Sequence, residues 1–393
     1  AKISDHEVQD DLRKINNITG GKDPRAVAGH HPDSWTWGRK WKHFDLPGAP
    51  VGPIIRHYPM IENPIKPKER ILYLPVYEQG WPIQKEQKRG LREALAKVAL
   101  TIEYDYLEQY KMGGVAMMSE LVLLMDKIQP TIFLSQLHNG TQINADDVSR
   151  LKANWPKTQF VNWNGDFWPD NLLSEDGIKL ALAFDLQLGV NRDAIEKQKA
   201  AGVNADYWQI GFEPDGVGYD PVAFNDVVFL ASGYSSARQE LVKKLKSLDI
   251  DLALYGTGWP NDWTKGQTMY NFIEGCKIYR GAKISIGDSQ WPDTGFVSNR
   301  VFQALAAGSS ALAHQWFRDM DKLGLVNGET CIIWRDFAEL ERKIKYYLSH
   351  EKERTAIALA GERLALERHS FDVRVKELME MLGQREVEEG WRW

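Results

Sequence analysis

Two rhythms of apolar and polar positions alternate along most of this chain. Short, nearly continuous apolar runs give way to stretches in which apolar residues recur every three or four positions, the signatures of buried strands and amphipathic helices. From about residue 67, the runs Arg70–Tyr77 (with Pro75 near its end), Thr131–Leu137, Gln159–Trp163, Phe184–Val190 and Ala205–Ile210 predict strands. Between them, Gln84–Leu100, Val115–Lys127, Ala145–Ala153, Ser174–Leu182 and Asp193–Ala201 predict helices. Strands that alternate with helices imply a mostly parallel sheet covered on both faces.

The stretch 211–225, GFEPDGVGYDPVAFN, interrupts this rhythm with Gly, Pro and Asp and marks a domain boundary. A second series follows: strand Asp226–Ala231, helix Ser235–Leu248, strand Asp249–Tyr255, a helix inside Met269–Ala282, and strand Lys283–Ile286. Helix Arg300–Ala307, strand Ser310–Ala313, a helix-like segment and strand Thr330–Trp334 complete it. The end reads as two helices. Asp336 caps one carrying Phe337, Leu340, Ile344 and Leu348, and Ser370 caps one carrying Val373, Val375, Leu378 and Leu382. The chain thus divides into an irregular arm (1–66), a first α/β domain (67–215), a second (216–368), and a C-terminal helix and tail (369–393) expected to pack back across the cleft. Two doubly wound domains place ligands outside the carboxyl ends of the strands, in the cleft between them. The same rhythm also suits a two-domain periplasmic-type binding protein or a two-domain dehydrogenase.

A chain of 393 residues is too long for one ordinary core, which agrees with two domains. A net charge of −5 argues against affinity resting mainly on phosphate neutralisation over a broad surface. Cys276 and Cys331 lie in apolar runs without a CxxC partner and read as buried free thiols of a reducing compartment. No apolar run reaches the length of a membrane span and residues 1–15 are polar, so a soluble cytoplasmic protein is expected. Many of the 15 Trp lie in polar loops, where they suit stacking or pocket walls. In the arm, Trp35, Trp37 and Trp41 interleave with Arg39, Lys40 and Lys42. This segment is either a stacking and phosphate-contacting surface for nucleic acid or glycan, or a set of apolar anchors that pin the arm to the body.

The chain lacks a GxGxxG after a strand, a GxxxxGK[ST] loop and a GxSxG elbow, so no standard dinucleotide fingerprint, P-loop or hydrolase nucleophile is present. Chemistry is left to loops at strand ends. Ser232, Gly233 and the following helix start could hold a phosphate with Arg238 supplying charge; the plain alternative is an ordinary βα turn. Gly256 allows close backbone approach, and Trp259 either stacks on a base or sugar or belongs to a simple turn. The loop around Thr294, Gly295, Phe296 and Ser298, before the helix at Arg300, reads as an anion site. In the first domain, His138 and Asp166 follow strands; each is either a general base or hydroxyl-binding group, or structural. Gly80, after the first strand, lies where the cleft floor would be.

The segment SNRVFQALAAGSSALAHQWF continuing to FDVRVKELMEML resembles the C-terminal half of GT-B glycosyltransferases, in particular the spore-maturation (CgeB-like) group. The residues that carry the likeness are Arg300, Phe302, Ala304, Leu305, Gly308, Asp336, Leu340, His350, Arg354, Gly361, His369, Ser370, Phe371 and Arg374, and the likeness extends over about 226–382. It implies two Rossmann-like domains facing a central cleft, the first on the acceptor side and the second binding the donor. It implies transfer of a sugar from a nucleotide-diphosphate donor, a UDP-sugar, to an acceptor hydroxyl, without an obligatory metal or any cofactor beyond the co-substrate. Gln303 stands where the family has a ribose-contacting Glu, and Gly295 where retaining relatives have another. Arg238 fits one member of the cationic pair that neutralises the diphosphate, and Arg300 or Lys283 the other. Asp166 or His138 would orient the acceptor, with Gly80, Asn139, Trp163, Trp37 and Arg39 as acceptor-binding candidates. The acceptor is a small metabolite, a glycan, a protein or a hydroxymethylated DNA base of the phage type. Other readings are a non-catalytic nucleotide- or sugar-binding module and a nucleotide-sugar epimerase.

Overall fold

The structure is a computed structural model. It describes residues 69–76, 82–165, 172–213, 220–221, 223–260, 262–266, 272–289 and 291–383. In chain order the first half contains β1 (Arg70–Leu74), α1 (Pro82–Val98), β2 (Leu100–Glu103), α2 (Tyr106–Met112), α3 (Gly114–Ile128), β3 (Ile132–Ser135) and α4 (Ala145–Asn154). It continues with β4 (Gln159–Asn164), α5 (Glu175–Ala183), β5 (Leu186–Gly189), α6 (Arg192–Ala200) and β6 (Ala205–Tyr207). The six strands form one parallel sheet in the order β2-β1-β3-β4-β5-β6. Helices cover both faces, so Ile71 to Leu74, Ile132 to Leu134 and Phe160 to Val161 are wholly buried and read as unbroken apolar runs.

The second half contains β7 (Asn225–Leu230), α7 (Ser236–Lys246), β8 (Leu252–Tyr255), α8 (Phe272–Arg280), β9 (Ala282–Gly287), α9 (Arg300–Ala306), β10 (Ala311–Gln315) and β11 (Ile332–Trp334). Then follow α10 (Phe337–Ser349), α11 (Glu351–Arg368) and α12 (Phe371–Met381). Its five strands are parallel in the order β11-β10-β9-β7-β8. The chain is therefore two tandem doubly wound α/β units, as the alternating pattern predicts.

Four elements differ from the sequence reading, among them α2, over residues to which the reading assigns no element. The expected first helix ran to Leu100, but β2 begins there, because Leu100 to Glu103 pair with Arg70 to Tyr73 at the sheet edge. Four residues are too few to show a period. The helix-like segment before the Asn-Gly turn is a single 3-10 turn, Asp321–Leu323. The chain ends in three helices rather than two, the added one being α11. Its Ile357, Ala358, Leu364 and Ala365 are buried while Leu359 and Leu366 are exposed, so no single apolar stripe announces it. Gly361 lets α11 approach closely; a Cβ there would fall 2.7 Å from both Leu305 Cδ2 and the Thr330 carbonyl oxygen.

The chain leaves the first unit at 211–213 and returns at 369–371, and these two passages pair. The Phe212 amide donates to the His369 carbonyl at 3.2 Å, and the Phe371 amide to the Phe212 carbonyl at 3.0 Å. Beyond the crossing, α12 packs Phe371, Val375, Leu378 and Met379 into the first unit's core, beside Leu91 and Leu95 of α1. His369 fixes the crossing. Its ring stacks on Phe302 at 4.2 Å, Nδ1 meets Arg374 Nη2 at 2.6 Å and Nε2 meets the Leu323 carbonyl at 2.9 Å. Burial first, and then the Arg374 charge, push its pKa down to about 3.

Candidate active site

The carboxyl ends of the two sheets face each other. Asn191, which follows β5, shows how. Its Oδ1 caps α6 by accepting from the Ala194 amide at 2.9 Å, and its Nδ2 donates to the Thr294 carbonyl of the second unit at 3.0 Å. Gln209, after β6, donates to the Val297 carbonyl at 3.3 Å. Arg318, after β10, pairs with Asp193, and Arg192 approaches Asp319 at 3.9 Å.

In the second sheet, β7 has β8 on one side and β9 on the other, so the strand order reverses between β7 and β9. Crevices at such switch points are where ligands bind in open α/β sheets. The groups gathered there are Ser232 after β7, Arg238 in the first turn of α7, and Asp288 after β9. Arg238 Nε donates to Asp288 Oδ2 at 2.6 Å, and Nη1 donates to Ser232 Oγ at 2.9 Å. Both charged side chains are mostly buried, at 13% and 14% exposure. Helix α7 has eleven residues, no acid in its first turn and no side-chain cap from Ser235, so its amino end keeps unsatisfied N–H groups beside Arg238.

Several expected contacts are placed elsewhere. The Gly233 amide is already donated to the Thr257 carbonyl at 2.8 Å. The glycine is required by packing, since a Cβ would lie 2.5 Å from Trp259 Cδ2. Trp259 is not a stacking platform: it is buried between Phe229 and Trp263, and its Nε1 donates to the Ala231 carbonyl at 2.8 Å. The exposed aromatic of these two loops is Tyr234, whose ring lies against Gly258. The Gly256 amide pairs with the Gly266 carbonyl at 2.9 Å.

The loop 291–298 joins the two units instead of cradling an anion. Thr294 turns both its amide and its hydroxyl to the Trp291 carbonyl, and its own carbonyl accepts from Asn191. Phe296 packs edge-on against Trp291 at 5.5 Å and lies beside Leu172 and Ala194 of the first unit. Gly295 takes the left-handed backbone this tight turn needs, with φ +71°. The start of α9 is closed by its own tight turn, because the Val301 amide bonds the Ser298 carbonyl and the Phe302 amide the Asn299 carbonyl. Ser298 Oγ lies 3.4 Å from the Arg300 amide. Arg300 itself makes no ion pair among the described residues and lies near Tyr279. Gln303 is buried, with its amide oxygen turned toward Gly275 of α8. Lys283 is at the amino end of β9, paired with Asp226 at 2.7 Å on the exposed surface, and so is at the wrong end of the strand for a diphosphate.

In the first sheet the order reverses between β1 and β3. His138 and Asn139 follow β3 there; His138 is half-buried, and exposed Asn139 accepts from the Thr141 amide at 3.0 Å. Trp163 is 2% exposed and packs in the core against Trp208, with its Nε1 on the Trp208 carbonyl, so it does not line an acceptor site. Asp166, Gly80, Trp37 and Arg39 lie outside the described residues. A row of neutral polar side chains crosses the carboxyl half of this sheet. Ser135, Asn162 and Gln187 are register partners; Ser135 Oγ meets Asn162 Oδ1 at 3.0 Å, and Asn162 Nδ2 donates to Gln187 Oε1 at 3.0 Å.

Sequence reasoning missed three residues of the second crevice: Asp288, His314 and Tyr234. Asp288 reads as half of a Gly-Asp turn, and His314 as the tail of an apolar strand; only strand order brings them beside Arg238. Tyr234 sits in a stretch whose serines draw the phosphate reading. Among the described residues no cluster of His, Cys, Asp and Glu could hold a metal ion.

This architecture, two parallel-sheet units with facing carboxyl edges, is the GT-B fold. HepE of Anabaena, solved with UDP-glucose, has a TM-score of 0.58 at 13% identity, covering 80% of this chain and 100% of that one. A sucrose-phosphate synthase from Thermosynechococcus elongatus gives 0.56 at 10% identity, covering 81% and 99%. A glycosyltransferase from Rickettsia africae gives 0.56 at 13%, covering 82% and 100%. Residues 238–380, most of the second unit, match the family model described as glycosyl transferase-like. No curated protein matches the chain by sequence.

Proposed function

We propose that the protein is a glycosyltransferase that moves a sugar from a UDP-sugar to an acceptor hydroxyl. The observation that carries this reading is the arginine at the second switch point, beside the open end of α7 and across from the first sheet's carboxyl edge. The donor diphosphate would take over the Arg238 guanidinium from Asp288, lie against the N–H groups of α7 and be flanked by Arg300. These groups act where negative charge grows as the anomeric carbon–oxygen bond breaks. The acceptor, held by the first unit, forms the new bond through its hydroxyl oxygen. His138, at the end of β3, orients that hydroxyl and receives its proton. Side-chain donors meet the diphosphate without calling on a metal. HepE was solved with UDP-glucose in the same fold, which supports a uridine donor here.

The test is release of UDP from a panel of UDP-sugars with and without acceptors, alongside calorimetric titration of Arg238→Ala. The acceptor panel includes duplex DNA with hydroxymethylpyrimidine, chosen for the tryptophans and basic residues of 35–42. Acceptor-dependent release and a donor Kd raised at least about tenfold, some 1.4 kcal/mol, are expected for the enzyme and the variant. Binding without turnover reduces the protein to a binding module, and interconversion of donor without acceptor makes it an epimerase. Unchanged affinity in Arg238→Ala removes that residue from the site.

A further inference from the structure

One buried side chain at the second crevice has a ring nitrogen that no described protein group engages. His314 lies near the end of β10, and its register partner is Gly287 of β9. The imidazole lies over that glycine: a Cβ at 287 would fall 2.2 Å from His314 Cδ2 and 3.0 Å from Nε2. The ring is held edge-on to Phe317 at 5.3 Å and is only 2% exposed. Nδ1 is 2.6 Å from the Gln315 carbonyl oxygen and therefore carries the proton. Nε2 is left as a lone pair and has no hydrogen-bond partner among the described residues. Asp288 directly follows Gly287 after β9, and it and Arg238 are the charges the imidazole senses, already paired with each other. Burial, the largest influence, holds the imidazole below its ordinary pKa and so in the neutral form. Nε2 is not one of the fully buried atoms that lack a partner, so it keeps some contact with solvent and is open to a donor from outside the protein. Phosphate oxygens carry no proton to give it at neutral pH, whereas a hydroxyl does.

We propose that His314 is a donor-recognition residue, its Nε2 accepting a hydrogen bond from a hydroxyl of the nucleotide sugar above the Gly287 floor; this rests on the reading of the β7–β9 crevice as the nucleotide-sugar site. The hydroxyl belongs either to the ribose or to the transferred sugar. Gly287 is then part of the same device, since any side chain there would displace the ring.

The test is calorimetric titration of the full chain and of His314→Gln, His314→Asn and Gly287→Ala with UDP-glucose and with UDP, together with the ligand-free melting temperature of each. Glutamine can return an acceptor oxygen near the position of Nε2, and asparagine is too short to do so. UDP-glucose affinity is expected to fall about tenfold in His314→Asn and Gly287→Ala and to stay near wild type in His314→Gln, with similar melting temperatures for the two His314 variants. A loss confined to UDP-glucose assigns the hydroxyl to the sugar, and an equal loss for UDP assigns it to the ribose. Wild-type affinity in His314→Asn overturns the proposal. So does an equal loss in His314→Gln and His314→Asn that tracks a drop in melting temperature, the mark of a purely structural side chain. Wild-type protein that binds neither probe overturns the donor reading and this assignment with it.

Discussion

The carboxyl edges of the two sheets meet across the cleft but are made of different chemistry. The first carries neutral groups, Ser135, Asn162 and Gln187, that satisfy one another along a single row of register partners. The second carries Arg238 held by Asp288, with His314 nearby. Neutral amides can be buried at modest cost once hydrogen-bonded to each other, and such a row stays in place. A buried ion pair is different: each partner pays heavily for lost water, and a phosphate can substitute for the carboxylate at little net loss. The comparison teaches that the Ser135–Asn162–Gln187 row is closed on itself, whereas the Arg238–Asp288 pair holds charges that a ligand of the proposed kind could repartner.

The largest effect expected of that contrast is on stability. Trp163→Ala should cost about 3–5 kcal/mol in urea unfolding, because a large side chain is removed from a closed core, and should leave donor affinity unchanged. Lost acceptor affinity at undiminished stability would return Trp163 to the site and break the view of the first edge as a wall. Next comes the joint between the units. The unfolded chain protonates His369 near 6.5, while the native chain does so only near 3. The unfolded state therefore binds more protons between those values, and stability must fall as pH drops through that window. His314, also held below its ordinary pKa by burial, adds to the fall with the same sign. The urea midpoint of His369→Gln should decline less between pH 7 and 4 than that of wild type; parallel declines would place the imidazole in water. Arg238→Ala follows, at about tenfold in donor Kd, read beside its melting temperature because the variant also leaves the mostly buried Asp288 without its partner. Smallest is Lys283→Ala. Its pair with Asp226 is half exposed and at the far end of the sheet, so stability should move by less than about 1 kcal/mol and donor titrations should overlay. A weakened donor there would undo the separation between the two ends of β9.

Much of the fold was legible because parallel strands buried on both faces are continuous apolar runs, and the helices between them carry one apolar stripe each. Where burial departs from that scheme, the pattern was silent. Leu100–Glu103 is a strand only because β1 lies beside it, and the buried face of α11 includes Arg354 and Gly361 while Leu359 and Leu366 are exposed, so residue type does not trace its stripe. The site was legible in part. Ser232 and Arg238 follow a strand and open a helix, and they do meet at the switch point. Trp259 and Trp163 were chosen for their residue type, which does not distinguish a stacking platform from a core anchor; depth in the fold does, and both are buried. Thr294 and Phe296 sit in a loop of the right composition for an anion, yet their polar groups and ring are spent on the other unit.

The sequence by itself determined the alternation of strand and helix, the break at 211–225 that separates the units, and the caps Asp336 and Ser370 that start two helices. These depend on neighbours a few residues apart, and local spacing records them. Only the tertiary structure decided strand order, and with it the switch point that brings Arg238, Asp288 and His314 together from three separate elements. It also decided that α12 joins the first unit and that the loop 291–298 is an interface. Those outcomes rest on contacts between residues far apart along the chain, such as the pair Arg238–Asp288, and no local period encodes them.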